Sequence, residues 1–106
     1  MNYSISTTAQ KHVLRVDDLL NEYANRELLR EVTDRLNDQN NHLVVDLSDM
    51  AFMNSVGLNF LIAARRYAQQ LGGDLSLAAP SRNVRQLLEV TRLATIFRVV
   101  NSVHEA

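Results

Sequence analysis

The chain has no cysteine, one proline and only three glycines among its 106 residues. Without thiols there is no disulfide framework, no thiolate metal site and no cysteine nucleophile. Gly57, Gly72 and Gly73 are too few and too scattered to build a glycine-rich phosphate loop. No apolar run approaches the roughly 20 residues that cross a bilayer, so direct membrane insertion is not expected. The opening MNYSISTTAQKH lacks the basic-then-apolar pattern of an export signal, and cytoplasmic residence is the expectation. There is no large excess of either charge. A net −1 gives no bulk attraction to nucleic acid, which is not expected as a partner.

The hydrophobic fraction of 46% suits a globular fold, and the length suits one domain spanning 1–106 with a core of useful size. Charge is unevenly placed. Residues 1–49 carry nine acids and five bases, a balance of −4, while residues 50–106 carry three acids and six bases, a balance of +3. This asymmetry is either an accident of sheet and helix surfaces or a polarised surface that orients a protein partner.

YSISTT (3–8) and HVLRV (12–16) read as strands, with Ala9 to Lys11 as the turn between them. In the stretch 17–41, Ala24, Leu28, Val32 and Leu36 recur every fourth residue with Leu29 alongside, the apolar stripe of a helix. The polar run Asn37 to Asn41 ends it. HLVVDL (42–47) is apolar except for Asp46, as a central strand buried on both faces would be. Gly57, Phe60, Leu61, Ala64, Ala68 and Leu71 then mark about four turns of helix, stopped at Gly72 and Gly73.

DLSLAA (74–79) is the next strand. Pro80 cannot continue it, and Ser81 can cap a helix carrying Val84, Leu87, Leu88 and Thr91 on one face. TIFRVV (95–100) closes the series as a strand, and NSVHEA is either a short helix or a frayed end. The order β-β-α-β-α-β-α-β implies one α/β domain: a mixed, mostly parallel sheet of four to five strands with helices packed on it, and an antiparallel start.

Catalysis needs titratable groups that converge in a cleft. His12, His42 and His104 have no metal-ligand spacing between them and read as exposed residues without a special role. Asp46 ends a central strand, where ligands of open α/β sheets gather, but it can equally fix the following turn by accepting from loop amides. Asp49 reads as a surface turn residue. No enzyme chemistry, metal or cofactor is expected.

The segment SDMAFMNSVGLNFL (48–61) runs from a strand into a helix through the polar step Asn54, Ser55, then Gly57. Asn54 or Ser55 can cap the helix, Gly57 permits close backbone approach, and the free amides favour an anion. Met50, Phe52, Met53 and Leu58 add apolar surface there that could dock on a partner.

This stretch, together with Asp46-Leu47-Ser48, Gly72-Gly73 before a strand and Pro80-Ser81 at a helix start, resembles a STAS domain. That is the module of anti-sigma factor antagonists and of sulfate-transporter tails, and the likeness is strongest from Leu43 to Val100. The resemblance implies a partner-switching regulator that binds an anti-sigma factor or related serine-kinase-fold protein. Contact is expected through Asn54, Ser55, Val56, Gly57 and Leu58, with Asn59 and Ala63 on the following helix and the loop near Asn21. In the family the joint ends in a hydroxyl that accepts phosphate, and phosphate blocks the complex. Here Val56 occupies the acceptor position and Asn54 replaces an aspartate. Valine has no oxygen to phosphorylate.

Three outcomes stay open: a permanently unmodified binder, an acceptor moved to Ser55, or a structural role in a larger assembly. Ser55 would turn its hydroxyl about 100° around the helix start, a poor fit for a kinase. The alternatives in function are a STAS subunit of a membrane ABC-type transport complex and a nucleotide- or lipid-binding module near Asp46.

Overall fold

A computed structural model describes all residues, 1–106. Side-chain caps set the helix starts. Asn21 accepts from the Ala24 amide at 2.9 Å, Asn54 from Val56 at 3.0 Å and Ser81 from Val84 at 3.3 Å. The elements are β1 (Tyr3–Thr7), β2 (His12–Val16), α1 (Glu22–Arg35), β3 (His42–Asp46), α2 (Ser55–Gln70), β4 (Asp74–Ala78), α3 (Arg82–Val90) and β5 (Arg98–Val100). The expected order is realised with five strands.

The sheet order is β1-β2-β3-β4-β5, with β1–β2 antiparallel and every other pair parallel. The short turn at Ala9 to Lys11 allows only the antiparallel pairing, whereas each parallel pair needs a helical crossover. Because each strand is laid beside its predecessor and crossovers share one hand, the helices collect on one face. The core records this. Leu14, Val16, Leu43, Val45, Leu75 and Leu77 from alternate strand positions pack with Leu28 and Val32 of α1, Leu61, Ala64 and Ala68 of α2, and Val84 and Leu88 of α3.

The opposite face holds Val13, Arg15, Val44, Asp46, Ser76, Ala78 and Arg98, as the register requires. It is not left bare. Val103 to Glu105 form a short 3-10 turn with a Ser102–Glu105 capping box, and Lys11 Nζ donates to the Val103 carbonyl at 3.0 Å. Arg98 donates to the Glu105 carbonyl at 3.0 Å. The tail is thereby drawn across the sheet, beside Val44 and Ser76, and is ordered rather than frayed. β3, central and now covered on both sides, is buried from Leu43 to Asp46.

The last strand is shorter than 95–100. α3 ends at Val90, Arg92 then takes the left-handed region (φ 63°), and Leu93–Thr95 form a 3-10 turn. Thr95 Oγ1 donates to the Arg92 carbonyl at 2.7 Å, and this turn delivers Phe97 into the core before pairing begins at Arg98. His12 also differs from expectation. It shares the inward side of β2 with Leu14 and Val16 and is 4% exposed. Its Nε2 donates to the Asn40 carbonyl at 3.2 Å, and Nδ1 pairs with the Thr7 hydroxyl at 2.9 Å.

α2 stops where Gly72 takes φ 86°, and the amides of Gly72 and Gly73 return to Gln69 and Ala68. A Cβ on Gly73 would sit 2.0 Å from the Asn41 carbonyl oxygen. Gly73→Ala should therefore destabilise the fold by about 3 kcal/mol, the upper end of the range for overpacking. The check is a lower urea midpoint with unchanged slope.

Candidate functional site

β3 ends at Asp46, whose Oδ1 accepts the Ser48 amide at 3.0 Å. Its role in fixing the turn, one of the two read from the sequence, is thus realised. The chain then crosses the carboxyl end of the sheet to Asn54 and enters α2. Asp49, expected as a plain turn residue, reaches back to β2. Arg15 Nε and Nη2 donate to its two carboxylate oxygens at 2.7 and 3.0 Å. This fork ties the β3–α2 connection to the sheet. The hydrogen bond from Arg15 holds the Asp49 carboxyl below its usual range, and the same contact raises Arg15.

The start of α2 is fitted against the β2–α1 loop. A Cβ on Gly57 would lie 2.6 Å from Met53 Cγ, 3.2 Å from Leu19 Cβ and 3.3 Å from the Leu19 carbonyl oxygen. That carbonyl accepts from Asn25 Nδ2 at 2.7 Å. The chain α2–loop–α1 is thus closed by one glycine and one amide. A third contact, Ser81 Oγ donating to the Ala51 carbonyl at 3.4 Å, brings in the start of α3.

The expected contact residues divide into two groups. Asn21, Asn54, Ser55 and Asn59 are exposed, and Val56 and Ala63 are half-buried. Gly57 and Leu58 are buried, since Gly57 faces Leu19 and Leu58 packs into the core. Those two shape the joint instead of presenting side chains. The expected apolar dock is corrected in the same way: Met50 and Leu58 are interior, whereas Phe52 is 65% exposed. Leu20 is also exposed, and its neighbour Leu19 meets Gly57.

Val56, Asn59 and Ala63 line a groove of about 230 Å³ between α1 and α2. Phe60 completes that wall, and Glu22, Asn25, Arg26 and Leu29 form the other. Sequence reading missed the α1 wall. Its signal was present: 22, 25, 26 and 29 follow the same i, i+3, i+4, i+7 spacing as 56, 59, 60 and 63. Asn25 is 5% exposed, and its Oδ1 accepts no hydrogen bond. An unmade buried acceptor costs about 1–3 kcal/mol.

A family profile describing the STAS domain matches residues 4–106, and the chain belongs to that family. Relatives of similar sequence include anti-sigma factor antagonists. The anti-sigma-B factor antagonist of Staphylococcus aureus is 27% identical over 101 residues, 93% of this chain and 94% of its own length. SpoIIAA, an anti-sigma factor antagonist solved in its unphosphorylated form, superposes with a TM-score of 0.82 at 17% identity, covering 98% of this chain and 91% of SpoIIAA. The inward-facing murine anion transporter Slc26a9 matches with a TM-score of 0.78 at 16% identity, over 95% of this chain but 18% of the transporter. At these identities the solved structures establish the fold. No helix of this chain is long and apolar enough to cross a membrane.

The Arg15–Asp49 pair makes a pH prediction. A carboxyl whose folded pKa lies below its unfolded value near 3.9 contributes stability above about pH 4, and that contribution is lost as pH falls through the folded value. Urea midpoints should drop more steeply for the wild type than for Asp49→Asn as pH is lowered from 5 towards 2, about the range in which such a carboxyl titrates.

Proposed function

We propose that the chain is a non-enzymatic, cytoplasmic partner-switching regulator of transcription in a bacterium, docking an anti-sigma factor or related serine-kinase-fold protein at the start of α2. One observation carries this reading. The exposed Asn54 and Ser55, with half-buried Val56, stand beyond the carboxyl end of the central strand, on a loop tied to its neighbours by Arg15, Leu19 and Ser81. A fixed, exposed helix start suits partner recognition, because little order is lost on binding. The names of the relatives supply the class of partner.

In this reading Val56 stands at the phosphoacceptor position. A side chain without oxygen keeps the docking surface in its uncharged state, so control passes to partner abundance. Ser55 is the first residue of α2 and is exposed, but its hydroxyl belongs to a different position around the helix. The likeness to an anion transporter supports a second reading, a STAS subunit of a membrane transport complex. Purification of the tagged chain from its native cell, followed by mass spectrometry, separates the two by the partner recovered.

Titration calorimetry with that partner tests the docking site. Val56→Asp should weaken binding about thirtyfold, the equivalent of about 2 kcal/mol, while Val56→Ala stays near wild type. An affinity unmoved by Val56→Asp in a folded variant removes the α2 start from the interface. A phosphoserine at Ser55 that abolishes the complex would refute the unmodified-binder reading.

A further inference from the structure

We infer that the groove between α1 and α2 is a receptor for one arginine side chain of the docked partner, with Asn25 as its buried anchor. The inference rests on the proposed docking at the α2 start, since Val56 belongs to both the joint and the groove wall.

Three residues of the lining carry acceptor groups. Asn25 is nine-tenths buried, and its amide orientation is fixed because Nδ2 donates to the Leu19 carbonyl at 2.7 Å. That leaves Oδ1 without a donor on a residue that lines the groove. Asn59, exposed on the facing helix, offers a second amide oxygen. Glu22 offers a carboxylate held only by an exposed Arg26 at 3.4 Å. Leu29, Val56, Phe60 and Ala63 supply the apolar remainder.

A volume of about 230 Å³ is below that of sites for drug-sized ligands and suits a single long side chain. The occupant therefore needs an apolar stem and several donors on a small head. A guanidinium has five donors, no acceptor and weaker hydration than an ammonium, so it can satisfy acceptors on two helices at once. Oδ1 is covered in the free chain, so the walls must part slightly to admit the head. Completing the missing hydrogen bond offsets that opening.

The test uses the purified chain without any partner. Capped arginine (N-acetyl-arginine-methylamide) is titrated into the 15N-labelled chain, with capped lysine and capped norleucine in parallel. Saturable shifts are expected at the Asn25 side-chain amide and at the Asn59 and Ala63 backbone amides, in the millimolar range. Capped lysine should bind more weakly and norleucine should leave these signals in place. Ala63→Leu fills the groove from its half-buried rim without touching Asn25, and it should reduce the arginine affinity at least tenfold. Asn25→Leu should abolish the response.

If Asn25→Leu disrupts the fold, Ala63→Leu alone decides. No saturation by capped arginine, an equal response to norleucine or lysine, or an unaltered affinity in Ala63→Leu overturns the inference. Failure here alongside a strong Val56→Asp effect on the partner would leave the docking site standing and remove only the arginine receptor.

Discussion

Gly57 lies where α2 and the β2–α1 loop press together: a Cβ there would clash with Met53 Cγ at 2.6 Å and crowd Leu19 at 3.2 Å. The Leu19 carbonyl at that contact is also the acceptor for Asn25 of α1. Backbone approach at one point thus locates three segments relative to one another. A side chain at 57 would lever the helix start away from the loop, since Met53 and Leu19 already occupy the space.

The sheet places this joint by topology. Strands added in sequence order force the helices to one face, so α1 and α2 become neighbours and their starts reach the same end as the carboxyl end of β3. On the other face the chain's last residues, held by Lys11 and Arg98, lie beside Val44 and Ser76. Near the joint Phe52 and Leu20 are exposed, and Asn25 carries an unpaired oxygen on a residue of the α1–α2 groove.

Much of the architecture was legible in the residues. Periodicity identified the three α-helices, and the caps Asn54 and Ser81 and the stops at Gly72 and Gly73 were readable because capping is a local interaction of a few neighbouring residues. Local rules failed where distant segments intervened. TIFRVV has strand composition, yet its first half turns because Arg92 adopts a left-handed conformation and Phe97 is drawn into the core. His12 looked exposed because the Asn37–Asn40 turn that covers it lies far along the chain. Asp49 looked idle because its partner Arg15 is on another strand.

The same division holds at the site. Composition and pattern by themselves determined the α/β class, the absence of thiol chemistry, the helix start at Asn54 and the missing oxygen at Val56, since each is a property of a residue or of its near neighbours. Only the tertiary structure decided that Leu58 and Met50 turn inward, that Asn25 is buried with an unsatisfied oxygen, and that two helical faces with equal spacing confront each other. Those outcomes come from the packing of elements remote in sequence, and a one-dimensional pattern specifies which face of a helix is apolar without specifying what stands opposite it.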